Sequence, residues 1–354
     1  MLHSRRLPHS PEPETGAATP AAPVGRRAHR SAGVSRGALR PPTPAAEPFL
    51  KWAGGKRQLL PELRRHYPDD FGTYFEPFLG SGAVFFDLLR HGALERRRAV
   101  LSDTNVDVVG CCRAVRDRTE AVIAHLRRLA DGHARGGAPH YYDVRDRRFN
   151  PARARLDRLG EETEAAGAYT PGLAAMLIYL NRTGFNGLFR LNSRGKFNVP
   201  VGRYANPSIC DEANLRRVAC ALARHADLRV ESFEAVLDRA RPGDFVYFDP
   251  PYAPLSTTAR FTSYTAEGFG EAGHVRLQRV VIALARRGCA VVLSNSTAPL
   301  VRSLYDRNAE ARAAGLRAHL VRARRSINCR SSARGEIFEY LITNVPAGRP
   351  AHRR

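Results

Sequence analysis

Lysine is almost missing from this chain. Of 56 basic residues only three, Lys51, Lys56 and Lys196, are lysine, and the rest are arginine. A drift toward arginine leaves lysine mainly where a compact, mobile ammonium matters, and all three survivors fall inside the motifs below. Tryptophan is rarer still, with Trp52 the single copy. The six cysteines are Cys111, Cys112, Cys210, Cys220, Cys289 and Cys329. They form no C-x-x-C pair, and no histidine spacing resembles a zinc site, so the expectation is reduced, buried thiols and no metal. No apolar run approaches the ~20 residues of a membrane span. The arginine-bearing N-terminus has no continuous apolar core, which excludes a secretory signal. These absences place the expected setting in the cytoplasm, with no membrane partner. The P-loop pattern G-x-x-x-x-G-K-[ST] is also missing, which argues against an ATPase.

Acidic charge is short as well, and the net charge is +22. Residues 1–46 account for +5 and the last ten for +3, leaving +14 on residues 47–344. A folded surface that basic favours a polyanion, most simply nucleic acid. Residues 1–46 are rich in Pro, Ala, Arg and Ser and poor in large hydrophobes, so they are expected to be disordered. They read either as a nonspecific nucleic-acid tether or as a dispensable extension, and residues 345–354 read the same way.

Between these tails, strand-like and helix-like stretches alternate. Strands are expected at Thr73–Leu79, Ala99–Ser102, 244–249, 290–294, 317–322 and 336–343. Helices are expected from Ala83–Leu89 onward, at Asn105–Leu129, Leu173–Leu180, Glu212–Ala223 and Phe233–Arg239. The alternation argues for an α/β fold with a mostly parallel sheet. Residues from about 106 to 210 carry few strand signals and interrupt it. Within them, 132–138 reads as a Gly-rich loop and 184–204 as a β-hairpin or extended loop.

Residues 245–252 read Phe-Val-Tyr-Phe-Asp-Pro-Pro-Tyr. Four strand formers run into an acid, and two prolines then stop the strand, because proline fixes φ and removes a backbone donor. Asp249 is thereby parked at the carboxyl end of a buried strand, where open α/β sheets hold their ligands. A carboxylate followed by carbonyls that precede prolines makes an acceptor-only corner. It suits a substrate –NH2 group, and Tyr252 offers a flat face for the ring that carries it.

Residues 74–82, Tyr-Phe-Glu-Pro-Phe-Leu-Gly-Ser-Gly, send a strand through a tight glycine turn into a helix, whose N-terminus presents free N–H groups. Position 85 is Phe where a dinucleotide fingerprint needs glycine, so a pyrophosphate ligand is not supported. Asp103 lies 23 residues beyond Gly80. An acid there binds ribose hydroxyls in nucleoside sites; it can equally serve as a helix N-cap before Asn105. Glycine turn plus acid, without the fingerprint, points to a nucleoside cofactor lacking phosphates. Finally, Phe49-Leu-Lys-Trp-Ala-Gly-Gly-Lys56 sets the only indole between two of the three lysines. An indole can stack on a purine, and Lys56 can meet a carboxylate.

Lys51-Trp-Ala-Gly-Gly-Lys56, Glu76-Pro-Phe-Leu-Gly-Ser-Gly82 and Asp249-Pro-Pro-Tyr252, in that order, resemble the Dam-like DNA adenine-N6 methyltransferases, which use S-adenosylmethionine. Asn181-Arg-Thr-Gly-Phe-Asn-Gly-Leu-Phe-Arg190 and Gly195-Lys-Phe-Asn-Val-Pro-Val-Gly-Arg-Tyr204 are similar to that family's target-recognition hairpin. The resemblance runs from about Pro48 to Asn344, roughly 84% of the chain. It implies a Rossmann-like class I methyltransferase sheet with an inserted, mainly helical target-recognition domain carrying a β-hairpin. Residues 47–105 and 211–344 would form the catalytic domain and 106–210 the recognition domain.

The resemblance also implies S-adenosylmethionine as cofactor and double-stranded DNA as partner. The expected setting is a bacterial- or phage-type cytoplasm, at the nucleoid, with a monomer working alone or beside a cognate restriction endonuclease. Trp52, Lys56, Glu76, Phe78, Gly80, Gly82 and Asp103 would hold the cofactor. Asp249 would lie where cofactor and base meet, with Pro250 and Tyr252 completing the catalytic corner. Lys51 would touch DNA, and Phe185 and Asn186 would fill the gap left by a flipped base. Leu188, Arg190 and Pro200 would face the recognised bases, and Arg203 a phosphate. The expected site is GATC; another site containing GAT, an RNA target, a nonenzymatic DNA binder on the same fold, and methylation of an amide nitrogen such as a protein glutamine are the rivals. No cysteine lies in these motifs, which argues against cytosine-C5 chemistry.

Overall fold

The computed structural model describes residues 45–52, 56–159, 162–255, 269–323 and 337–348. Among these, the strands are β1 (Tyr74–Glu76), β2 (Ala99–Asp103), β3 (Ala226–Val230), β4 (Phe245–Phe248), β5 (Ala290–Ser296), β6 (Arg317–Ala323) and β7 (Ile337–Thr343). They form one sheet in the order β3-β2-β1-β4-β5-β7-β6. The first five pair in parallel, and β7 runs antiparallel between β5 and β6. This is the class I methyltransferase sheet.

Parallel strands covered on both faces read as unbroken apolar runs, and all four residues of β4 are buried. Their side chains alternate between two cores, as a strand's period of two requires. Tyr74, Leu101, Phe245 and Tyr247 enter one core. Phe75, Val246, Phe248 and Leu293 enter the other. Phe245 is fully buried among Tyr67, Phe71 and Tyr74, with ring centroids 5.3 to 5.8 Å away.

From β1 the chain builds outward through β2 and β3; it then returns and builds the other way through β4 and β5. The reversal leaves a crevice between the carboxyl ends of β1 and β4, the topological switch point where such sheets bind ligands. The Glu-Pro-Phe-Leu-Gly-Ser-Gly and Asp-Pro-Pro-Tyr motifs begin at those two ends.

The helices before the insertion are α1 (Leu60–Leu63) and α2 (Ala83–Arg90). Next come α3 (Val106–Asp117), α4 (Thr119–Asp143), a π-helical turn at Val144–Phe149, α5 (Asn150–Leu156), α6 (Glu162–Gly167) and α7 (Pro171–Thr183). The rest are α8 (Glu212–His225), α9 (Val236–Arg239), α10 (Glu271–Arg286), α11 (Pro299–Val301) and α12 (Ala309–Ala313). Val84, Val108 and Leu215 bring α2, α3 and α8 into the first core. Leu277, Val281 and Leu284 bring α10 into the second.

Several expectations need correction. Strand β3 is absent from the expected set; its burial alternates along five residues and it follows directly on α8, so no turn signal separates the two. Residues 132–138 are not a loop: α4 continues through them, broken only at Gly137 (φ 50°, ψ −130°). The rings of His133 and His140 pack edge-on to Tyr179 of α7, so tertiary contact overrides the weak helix propensity of glycine. Residues 184–204 form no regular ladder. Their two arms meet at isolated antiparallel bridges, Gly184 with Val201 and Leu191 with Phe197. Cys220 is exposed and Cys210 half-buried, unlike the buried Cys111, Cys112 and Cys289.

The disorder expected at residues 1–44 and 349–354, like Cys329, lies outside the described residues. Ala46 packs on the core, and Gly348 N–H donates to Arg65 O at 2.7 Å. No helix among the described residues is long and apolar enough to cross a membrane. Nor does any group of three or more His, Cys, Asp or Glu there stand ready to hold a metal.

Candidate active site and nucleic-acid interface

Strand β4 delivers Asp249 to the crevice, and Pro250 and Pro251 end the strand there. Asp249 keeps 23% of its side chain exposed and forms an ion pair with Lys56, Nζ to Oδ1 at 2.8 Å. Ser294 of β5 donates to the same Oδ1 at 3.1 Å. The buried Tyr247 hydroxyl lies 3.0 Å from Ser294 Oγ, and with that oxygen's proton committed to Asp249, Tyr247 is the donor. Lys56 also donates to the Tyr252 hydroxyl at 2.9 Å and sits 4.3 Å from the centre of its ring. Tyr252 in turn donates to Glu339 of β7 at 2.7 Å. Four elements thus converge on one polar chain running from Glu339 through Tyr252, Lys56 and Asp249 to Ser294. Both bonds to Asp249 fall on Oδ1; among the described residues none reaches Oδ2 or the Pro250 carbonyl.

The electrostatics follow from burial and pairing. Burial pulls the Lys56 ammonium down, but the Asp249 charge and the Tyr252 oxygen outweigh it, and Lys56 stays protonated. Burial pushes the Asp249 carboxyl above its usual range, and Lys56 and Ser294 oppose that shift. Glu76 is 2% exposed. Its carboxylate accepts from Tyr74 OH at 2.8 Å and from Phe85 N–H at 3.1 Å. It thereby supplies the start of α2 with the acceptor that Gly82 at the N-cap cannot provide. Burial pushes Glu76 up to about 8.

The glycine turn beside this corner is held from three sides. Gly80 adopts φ +47°, and a Cβ there would lie 2.9 Å from the Trp52 ring. Any larger residue would displace the indole. Gly80 N–H donates to Asp103 Oδ2 at 3.0 Å, and Asn105 N–H to Oδ1 at 2.9 Å. The N-cap of α3 is Asn105, whose side chain accepts from Asp107 and Val108 N–H. Of the two readings of Asp103, the N-cap is therefore excluded. Burial raises the Asp103 carboxyl, opposed by those backbone donors. Phe78 packs against Phe233 with ring centroids 5.4 Å apart and 22° between planes.

The 184–204 loop adjoins this site through Lys51 and Trp52. Trp52 stacks on Phe189, centroids 6.0 Å apart and 18° between planes. Asn181, 2% exposed, accepts from Lys51 N–H and donates to Lys51 O and Gly187 O, at 2.7 to 2.9 Å. Lys51 Nζ lies 4.0 Å over the Tyr204 ring and 3.3 Å from Arg182 O. Phe185 is 44% exposed, and Asn186 beside it takes φ +53°. Leu188 and Arg190 are half-buried, while Pro200 and Arg203 are exposed. Arg190 Nε donates to Asn198 Oδ1 at 2.7 Å, and Pro200 O accepts from Phe185 N–H at 2.8 Å.

The expected residues therefore gather in two neighbouring groups: Trp52, Lys56, Glu76, Phe78, Gly80, Gly82, Asp103, Asp249, Pro250 and Tyr252 around the crevice, and Phe185, Asn186, Leu188, Arg190, Pro200 and Arg203 on the loop, with Lys51 between them against Tyr204. A cavity of about 570 Å³ lined by Arg98, Arg116, Asp117 and Asp227 opens at the amino ends of β2 and β3, and none of these residues lines it. Ser294, Glu339 and Asn181 are site residues that sequence reasoning missed. Glu339 had a signal, as a lone acid within Ile-Phe-Glu-Tyr-Leu-Ile; Ser294 begins a polar run, Ser-Asn-Ser-Thr, at the end of an apolar strand.

Comparison with known proteins identifies the family. Residues 52–326 match the family described as D12 class N6 adenine-specific DNA methyltransferase. A Type II methyltransferase of Lactococcus lactis subsp. cremoris, M1.LlaDCHI, is 39% identical, over 84% of this chain and 95% of its own. Another from Methanocaldococcus jannaschii, M.MjaIII, is 37% identical over 84% and 99%. The DNA adenine methylase of Escherichia coli K12 is 35% identical over 84% and 95%. The chain belongs to the D12 class of N6 adenine-specific DNA methyltransferases. It is a Dam-like enzyme of DNA adenine methylation, and family and fold together imply S-adenosylmethionine as methyl donor.

Proposed function

We propose that this enzyme methylates N6 of an adenine rotated out of duplex DNA, within GATC. The observation that carries the reading is the acceptor corner: Lys56 and Ser294 occupy Asp249 Oδ1, leaving Oδ2 and the Pro250 carbonyl for the two N6–H donors. Adenine N6 is buried in the duplex stack, so the base must leave it first, at a cost of a few kcal/mol. Phe185 and Asn186, both exposed, fill the gap and offset part of that cost. Tyr252 stacks on the flipped ring, its own ring held by the hydroxyl bonds to Lys56 and Glu339.

The crevice suits a nucleoside sulfonium: a half-buried carboxylate at Asp103, a turn whose two glycines carry no side chains, and the Trp52 and Phe78 rings. Lys56 there keeps Asp249 ionised. When bound, S-adenosylmethionine supplies an electrophilic methyl group. Asp249 and Pro250 pull N6 toward sp3, which aims its lone pair, and Oδ2 stands closest to the proton that N6 gives up. Most of the catalysis is positioning. Lys51, Leu188, Arg190 and Pro200 read bases, and Arg203 meets a phosphate. Residues 47–105 and 211–344 act as catalytic domain and 106–210 as recognition domain, in a cytoplasmic monomer.

Asp249→Ala should abolish transfer while cofactor affinity stays within about an order of magnitude; near wild-type turnover would remove Asp249 from this role. Methylation-sensitive long-read sequencing of DNA modified by the enzyme reads base, site and strand together, and modification outside GATC would overturn the site. A second reading has one observation in its favour: two of the relatives above are named Type II methyltransferases. On that reading the chain partners a restriction endonuclease and protects another GAT-containing sequence.

A further inference from the structure

Among the described residues, the returning arm of the recognition loop has no strand on its outer side, yet its backbone is paired as if it had one. Residues of a strand present their N–H and C=O groups alternately to the two sides. Lys196, Asn198 and Pro200 face the outgoing arm: Asn192 N–H donates to Lys196 O, Asn198 N–H to Arg190 O, and Phe185 N–H to Pro200 O, at 2.8 to 3.2 Å. The carbonyls of Gly195, Phe197 and Val199 face the other way, and side chains from one helical stretch meet all three, while Gly195 N–H turns back to Asn192 O at 2.9 Å. Arg153 Nη1 donates to Gly195 O at 2.9 Å. Asn150 donates to Phe197 O at 3.1 Å and accepts Phe197 N–H at 2.8 Å, the pair of bonds a neighbouring strand would exchange. Tyr141 OH and Arg145 Nη1 donate to Val199 O at 2.9 and 3.0 Å.

The π-helical turn at Val144–Phe149 brings these side chains onto one face. Five residues along an α-helix, Asn150 would stand about 140° away from Arg145; the wider π turn, with its i→i+5 hydrogen bonds, brings it back toward that face. Arg153 then carries the clamp back to the catalytic sheet. Its Nε donates to Asp107 Oδ2 at 2.7 Å, and Asp107 is 1% exposed. Asp107 lies in the first turn of α3, four residues after Asp103 at the end of β2.

We infer that Asn150 and Arg153 are specificity-positioning residues: without touching DNA, they set the register of the base-reading arm against the methyl-transfer corner. The inference rests on the reading of 184–204 as the loop that reads duplex DNA. Arg190 is tied to Asn198 on this arm, so a slipped arm carries the guanidinium with it.

Two variants test the clamp. Asn150→Asp keeps the acceptor for Phe197 N–H but sets an oxygen against Phe197 O. Arg153→Lys keeps a cation beside Asp107 and removes the fork that also reaches Gly195. The readouts are kcat, KM for the cognate duplex, cofactor Kd, and the ratio of kcat/KM between the cognate duplex and duplexes with one changed base pair. Each variant should raise KM for DNA about tenfold and cut discrimination about tenfold, with kcat and cofactor Kd within about twofold of wild type. Tyr141→Phe, which removes one of two donors from Val199 O, is the mild case that keeps the fold, with an effect of about twofold in the same direction.

Arg190→Ala is run beside them. If it relaxes discrimination while Asn150→Asp, Arg153→Lys and Tyr141→Phe all keep wild-type ratios, the clamp inference is overturned and the loop reading stands. A merely structural role would lower kcat equally on every duplex and leave the ratio unchanged, which also overturns it. If Arg190→Ala itself leaves discrimination intact, the loop reading fails and the inference falls with it.

Discussion

The corner at Asp249 and the loop at 184–204 are built on opposite principles. In the corner, side chains hold side chains: Lys56, Asp249, Tyr252, Ser294 and Glu339 satisfy one another around the carboxyl end of β4. In the loop, side chains hold backbone, and Phe185 stays 44% exposed. A reacting atom must be placed to a fraction of an ångström, which favours buried, mutually fixed groups. A reading surface must first meet its target, which requires exposed groups on a supported frame.

The contrast breaks most sharply at Lys56. Its removal leaves the Asp249 carboxylate without its ion partner, a loss on the order of 3–5 kcal/mol when a buried pair is broken. Burial already raises the Asp249 pKa and Lys56 opposes that, so Lys56→Met raises it further. The proposed mechanism uses the ionised form, so the acid limb of a kcat–pH profile should move to higher pH, with kcat down by ~100-fold. A profile that stays in place would show that the pair does not govern Asp249.

Glu339 gives the next largest effect. Glu339→Ala strips the Tyr252 hydroxyl of its acceptor and should lower kcat by about tenfold. Glu339→Gln, which can still accept that bond, should restore most of it. Equal losses in both variants would mean that charge matters there, not the hydrogen bond. On the loop side, Phe185→Ala should leave the thermal midpoint unchanged, because surface substitutions cost within about ±0.5 kcal/mol. It should weaken flipping about fivefold, read with 2-aminopurine at the target adenine. A clear drop in the midpoint would place Phe185 in the frame instead.

The last prediction concerns a slope. Folded Glu76 has its pKa raised to about 8 from the ordinary 4.5. Between those values the folded state binds more protons than the unfolded one, so stability falls as pH rises. Glu76→Gln mimics the neutral form and should flatten the thermal midpoint across that window.

Residues 245–252 show how far the one-dimensional pattern reaches. Four apolar strand formers and two prolines suffice to bury β4 and stop it at Asp249, because proline acts within its own backbone. The glycine turn and the acid after β2 were legible for the same reason. Strand β3 was not, since a half-buried edge strand fused to a helix carries neither an unbroken apolar run nor a turn signal. The course of α4 through 132–136 was also hidden, because it depends on rings packed against Tyr179.

Sequence alone determined the α/β class, the two motifs at the switch point, the acceptor chemistry of Asp-Pro-Pro-Tyr and the family that carries them. All of these are set by local backbone constraints and residue order. Tertiary structure decided the partners. Glu339 reaches Tyr252 across 87 residues and Ser294 reaches Asp249 across 45. Arg153 reaches Asp107 across 46 and Gly195 across 42. Such pairings form only when the sheet and the helical insertion fold together, because the desolvated charge or carbonyl at one end must find its counterpart wherever the chain brings one.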